Sequence, residues 1–387
     1  CSPSRASLAT GRYPHNNGVM GLVHAAFAWD LHPNERHAAQ LLGEHGYDTH
    51  LFGLQHVSPR EERLGFGHVH GRGIGKEVSN QVAEFLRSTS GESRLYIEVN
   101  LFEPHRPYDH GGVQPDDSAG VWVPPYLPEG PPAQEEMAAL QGAIREADDA
   151  VGRILAALEE TGLASSTLLV FTADHGIAMP RAKCTLYDAG IGVALLARWP
   201  EGGIQGGRTL TELVSNVDVL PTLLEAANAP VPQNVQGRSL LSLLRGEGHE
   251  PRDAVFAEKT YHSYYDPMRA VRTRTHKYIR NFDSAFRVEI PGDIAASAIF
   301  RADTQLYHGS THPYTELYDL RTDPDELHNL AGKPEHSEIE QELDARLWEW
   351  MQAAEDPLLQ GPVPSPAYNR ALASRPSSTV RAGEGAA

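Results

Sequence analysis

Apolar positions recur at two different periods along this chain, and each change of period marks an element. Leu95-Tyr-Ile-Glu-Val-Asn-Leu-Phe102 and Thr167-Leu-Leu-Val-Phe-Thr172 are short runs rich in β-branched and aromatic residues, which predicts buried parallel strands. Between them, Met137, Leu140, Ile144, Ala147, Val151, Ile154 and Leu158 repeat every three or four positions, one face of an amphipathic helix that ends near Gly162. Ala38 to Gly46 followed by Tyr47-Asp-Thr-His-Leu-Phe52 predicts a helix, a glycine stop and a strand. Leu220 to Ala227, opened by Pro221, predicts a short helix. Strands alternating with helices specify an α/β fold with a sheet covered on both faces.

After about residue 250 the rhythm changes. Asp253–Ala257, Arg269–Arg272 and Lys277–Arg280 read as short antiparallel strands, and His336–Ala354 as a charged helix with Ile339, Leu343, Leu347 and Trp350 on one stripe. The organisation expected is an α/β domain over residues 1–250, a smaller α+β subdomain over 251–363, and a mobile tail over 364–387 rich in Ser, Ala, Gly and Pro. Gly111–Pro132, rich in Pro, Gly and Asp, reads as a surface loop.

Composition narrows the classes. The 387 residues include 51 acidic and 33 basic side chains, a formal charge of −18, which argues against nucleic acid as a general partner. No run approaches the roughly 20 apolar residues of a membrane-spanning helix. Two cysteines exclude a disulfide scaffold and a cysteine-based zinc cluster. The chain opens on Cys1, inside a motif, so a fragment is expected; any targeting segment would lie upstream, and periplasmic, secreted and cytoplasmic locations all stay open.

Chemistry concentrates at the ends of the expected strands. In Cys1-Ser-Pro-Ser-Arg5 a cysteine precedes a Pro-initiated turn, and the Arg5 guanidinium is placed either to hold an anion or to orient residue 1. Asp174-His175-Gly176 follows the strand ending at Thr172, at the carboxyl-end crevice where open α/β sheets bind ligands. His105 follows the strand ending at Phe102. Lys183 lies nine residues after Asp174, and His56 a few residues beyond the strand ending at Phe52. Read singly, Cys1 is a free thiol beside a salt-bridged arginine, Asp174 and His175 are as readily a hydrogen-bonded turn pair, and His105 and Lys183 are more often solvated surface groups. Asp148 and Asp149 fall inside the amphipathic helix and read as solvated, and His68, His70 and His110 stand without a clear partner.

Cys-Ser-Pro-Ser-Arg followed by Thr10-Gly11-Arg12 resembles the sulfatase signature. The likeness continues through Gly53-x-x-His56, Glu103-Pro-His-Arg-Pro107, Thr172-Ala-Asp-His-Gly176 and Lys183-x-x-x-Tyr187-Asp-x-Gly190. It then runs through Asn216-Val-Asp-Val-Leu-Pro-Thr222 to Glu316-Leu-Tyr-Asp-Leu-Arg-Thr-Asp-Pro324. Tyr265-Asp-Pro-Met-Arg-Ala-Val271, Gln55-His-Val57 and the Glu355-Asp-Pro region look similar to the heparan N-sulfatase (N-sulfoglucosamine sulfohydrolase) branch.

The resemblance implies an alkaline-phosphatase-like sandwich with a mostly parallel central sheet, its first strand upstream of residue 1. It implies hydrolysis of a sulfate ester or sulfamate on a sulfated sugar, through a formylglycine made from Cys1 by a formylglycine-generating or anaerobic sulfatase-maturing enzyme. By the same likeness Arg5 stabilises the nucleophile. Asp174 and His175, with the modified Cys1, hold a divalent metal, calcium first and manganese second. Two further aspartate ligands are expected upstream of residue 1. Lys183 and His105 bind sulfate, and His56 takes a proton. Leu54 stands where the family has lysine, and Gln55 or Arg60 are the expected substitutes. Gln55, Arg269 and His262, with Tyr264, are the expected substrate rim. Two alternatives stay open: a formylglycine-dependent phosphonate monoester or phosphodiester hydrolase, and a non-catalytic glycan-binding relative.

Overall fold

The computed structural model describes residues 1–374 apart from 25, 90, 284 and 286. Its strands are β1 (Tyr47–Gly53), β2 (His68–Val69), β3 (Arg94–Asn100), β4 (Leu169–Thr172) and β5 (Leu195–Arg198), then β6 (Ala254–Tyr261), β7 (Tyr265–Thr273), β8 (His276–Asn281) and β9 (Thr315–Asp319). The main helices are α1 (Ser2–Thr10), α2 (Ala38–Gly43), α3 (Gly75–Ser88), α4 (Pro131–Glu160), α5 (Val219–Ala226) and α6 (Ser337–Ala353).

Strands β2, β1 and β3 pair in parallel in that order, with Tyr47 opposite Arg94 and Gly53 opposite Asn100. The run ending at Thr172 departs from expectation: β4 pairs antiparallel with β5, Leu169 opposite Arg198, and Phe171 is 38% exposed. Neither β4 nor β5 pairs with a further strand among the described residues.

Helix α4 is longer than its stripe required, and its buried line is rotated from the expected one. Ile144 is 45% exposed, while Ala143, Ala150 and Ala157 are buried, and the small side chains of Ala150 and Ala157 let α3 approach closely. Val78, Val82 and Leu86 of α3 fill the seam with Phe52, Ala157 and Leu158, each large side chain contributing about 1.5–3 kcal/mol relative to exposure. This packing fixes the carboxyl ends of β1 and β3.

The second half is an antiparallel sheet in the order β6-β7-β8-β9, covered by α6 through Leu343, Leu347, Trp350 and Met351. Strand β9 arises from the Glu316-Leu-Tyr-Asp segment, where the pattern marked no strand. The segment expected to be a mobile tail begins with a helix over Pro366–Ala373, capped by Ser365; residues 375–387 lie outside the described residues. No helix among the described residues is long and apolar enough to cross a membrane.

Candidate active site

Cys1 sits at the N-cap of α1, with Pro3 in the first turn, where the helix's unpaired amides and dipole favour negative charge. The expected turn is thus the opening of a helix. That helix is pinned from several sides. Ala6 is fully buried, Ser4 Oγ accepts from Asn216 Nδ2 at 2.8 Å, and Ser2 Oγ accepts from the Val23 amide at 3.3 Å. Gly11 ends it in the left-handed region (φ 65°), a conformation that strains other residues.

One turn along α1, Arg5 projects beside Cys1. Its Nε donates to Asp174 Oδ2 at 2.7 Å and its Nη1 to Asn100 Oδ1 at 3.2 Å. The guanidinium thereby joins the carboxyl ends of β3 and β4 to the start of α1. Burial pushes the Asp174 carboxyl up, but His175 and Arg5 outweigh it and hold the group well below the usual carboxylate range. His175 Nδ1 donates to the Gly176 carbonyl at 2.7 Å, which leaves the Nε2 lone pair free to face Cys1 Sγ at 3.2 Å. Burial lowers His175 to about 4, so this ring is neutral near pH 7. Cys1 Sγ, an Asp174 oxygen and a His175 nitrogen lie within 4.8 Å of one another. A carboxylate, a lone-pair imidazole and a third side chain converging on one point suit a divalent cation.

Lys183 and His105 meet around a residue with no local signal in the sequence. Lys183 is buried and its Nζ donates to Asp293 Oδ2 at 2.6 Å, while His105 Nε2 lies 4.0 Å from the same oxygen. Burial and the Lys183 charge lower His105, and Lys183 outweighs burial to hold Asp293 below its ordinary value. His56 Nε2 lies 3.0 Å from His24 Nε2, and burial lowers His56 to about 3, leaving a neutral ring. Asn100, His24 and Asp293 escaped the sequence reading because each enters through a contact with a distant segment.

The expected rim divides. His262 and Tyr264 are half-buried, and His262 Nδ1 lies 3.5 Å from Glu289. Arg269 is not at a rim: it is 0% exposed, with Nε and Nη2 donating to Asp356 at 2.5 and 3.1 Å, because β7 is a central strand beneath α6. Gln55 is buried and spends its amide on Val57, Ser58 and their turn. Arg60 is bound by Asp30 at 2.7 Å, so neither supplies a cation beside Leu54, which is itself 42% exposed. Asp148 and Asp149 are exposed on α4.

The Sulfatase family model matches residues 1–86 and 76–229, and the model for the C-terminal part of N-sulphoglucosamine sulphohydrolase matches residues 179–290. An ulvan-active sulfatase of Formosa agariphila is 29% identical, with 96% of this chain and 75% of the relative aligned. The human N-sulphoglucosamine sulphohydrolase is also 29% identical, over 94% of this chain and 82% of its own. A solved structure in complex with D-glucosamine-2-N,6-O-disulfate superposes with a TM-score of 0.73 at 19% identity, covering 93% of this chain and 89% of the other. Its fold is the alkaline-phosphatase-like α/β arrangement expected from the motifs. With the family model running through well over half of the chain, and through Cys1, Arg5, Asp174 and His175 alike, this chain belongs to the sulfatase family.

Proposed function

We propose that the chain hydrolyses a sulfate ester or sulfamate on a sulfated carbohydrate. The observation that carries the reading is the convergence of Cys1, Arg5, Asp174 and His175 at the N-terminus of α1. Converted to formylglycine by a formylglycine-generating or anaerobic sulfatase-maturing enzyme, residue 1 would supply, as the aldehyde hydrate, one hydroxyl to attack sulfur and a second through which sulfate is later expelled.

Around that group the chain's own residues divide the work. Arg5 holds Asp174 ionised and presents positive charge beside residue 1. Neutral His56 is able to take a proton from residue 1. Lys183 and His105 face the sulfate oxygens and offset the charge that develops as the bond to the sugar oxygen or nitrogen breaks. Asp174 and His175 would hold a divalent cation beside residue 1; calcium is the ion proposed, with manganese the alternative suited to an imidazole ligand. The substrate class is supported by the named relatives, one acting on ulvan and one a sulphoglucosamine sulphohydrolase.

The test pairs an aryl sulfate with an aryl phosphodiester on protein whose residue 1 has been verified as aldehyde by intact mass. Sulfate turnover that exceeds phosphodiester turnover, and disappears in Cys1→Ala with the circular dichroism spectrum unchanged, is expected. A large phosphodiester preference, or turnover retained by Cys1→Ala, rejects it.

A further inference from the structure

Strands β1 and β2 carry a second cluster of ligand-type side chains that the sulfatase chemistry does not use. Side chains alternate along a strand, so Asp48, His50 and Phe52 share one face of β1, and His68 and His70 share a face of the segment that begins with β2. The parallel register sets His50 against His68. Their rings stack at 4.6 Å, while His70 lies flat on Phe52 at 3.8 Å.

Asp48 serves both imidazoles. Its Oδ2 is 3.1 Å from His50 Nε2 and its Oδ1 is 3.1 Å from His68 Nε2. On its other side His50 is held through Nδ1, 3.0 Å from His70 Nε2. Yet His50, 3% exposed, makes no hydrogen bond at Nε2: the nearby carboxylate stands out of line with that nitrogen. An unsatisfied buried nitrogen next to a carboxylate is costly, and a cation shared between the two groups removes the cost.

The geometry fits such an ion. Donor atoms of Asp48, His50 and His68 lie within 4.8 Å of one another. The 3.1 Å from Asp48 Oδ2 to His50 Nε2 approaches the edge, roughly 3.3 Å, of a tetrahedron with bonds of about 2.0–2.1 Å to nitrogen and oxygen, and the other oxygen of the same carboxylate stands 3.1 Å from His68 Nε2. Two imidazoles and one carboxylate suit zinc better than calcium. His70 would act on the outside, fixing the tautomer and tilt of His50. Asp48 and His68 are exposed, which gives an entry path and leaves a fourth position for water.

We propose that Asp48, His50 and His68 form a zinc site, separate from the centre at Cys1, that fastens β2 to β1. The two strands are joined by residues 54–67, the connection that carries His56, so the ion would steady that loop at its far end.

The test uses the full chain stripped with chelator and titrated with Zn²⁺ alone, read by calorimetry and by thermal unfolding. Asp174→Ala, which disables the centre at Cys1, is expected to retain zinc binding. His68→Ala is expected to remove that binding and the accompanying rise in Tm, and His70→Ala to weaken it by about 10–100-fold. The His68 side chain is 56% exposed, so its loss does not threaten folding, and aryl sulfate turnover should persist. Cobalt(II) in place of zinc should give a tetrahedral visible spectrum in wild type that His68→Ala lacks. Zinc binding unaffected by His68→Ala, or absent from folded Asp174→Ala, overturns the proposal.

Discussion

Lys183 is held by Asp293 across 2.6 Å, with His105 on the same carboxylate. On the proposed mechanism, a sulfate group bound by Lys183 and His105 would have to displace or tolerate that negative charge, which would lower anion affinity. Asp293→Asn keeps the shape and removes the charge. Its expected effect is tighter binding of inorganic sulfate and a lower KM for a sulfated substrate, by up to about tenfold for each 1.4 kcal/mol of repulsion relieved. Unchanged sulfate inhibition in that variant would mean the carboxylate swings clear of the anion. The residues legible beforehand were those inside contiguous motifs: Cys1 and Arg5 in one, Asp174 and His175 in another. Asp293 and Asn100 had no such motif, because their partners lie 110 and 95 residues away and leave no local period. Arg269 misled for the opposite reason. An arginine in a motif-like run reads as a surface group until the strand that carries it proves central and Asp356 is found against it.

Among the elements, those with a complete local signature were read correctly: β1 with the helix before it, α4, and α6 with its apolar stripe. The antiparallel turn-back of β4 onto β5 was not, since a short apolar run carries no information on the direction of its neighbour. The rotated face of α4 was missed because the deciding residues are alanines, which weigh little in an apolar count but set how near α3 comes. Site geometry depends on where the parallel strands end. At the close of β1, Gly53 adopts φ 84°, and a Cβ there would come within 2.0 Å of the Asn100 carbonyl oxygen across the pair. Gly53→Ala should therefore part the ends of β1 and β3 at a cost of about 1–3 kcal/mol. Because Asn100 accepts from Arg5 and His56 lies just downstream, kcat should fall further than the shift in Tm alone accounts for. Thermal unfolding and steady-state kinetics on the same preparation separate the two effects.

Across the whole molecule, a buried charge network joins the segment around His15 to the end of α6. Glu258 of β6 accepts from the His15 amide at 2.8 Å and pairs with the His15 ring, whose Nε2 lies 3.1 Å from the Ala354 carbonyl. Arg269 of β7 bonds Asp356, and Asp356 lies 4.0 Å from His15. Burial would lower His15, but Glu258 and Asp356 outweigh it and raise it, with Arg269 opposing them. A histidine raised on folding stabilises fully below its unfolded value of about 6.5 and loses that contribution as pH climbs through the folded value. Tm should thus fall as pH rises above about 6.5, and His15→Gln should flatten that decline; parallel slopes would remove His15 as its source. The same network orders events in time. Ala354 is made 339 residues after His15, so the segment around His15 cannot be sealed into its final surroundings until that whole stretch has been synthesised. The maturing enzyme proposed above to convert residue 1 would have that interval, while translation is still under way, in which to reach it.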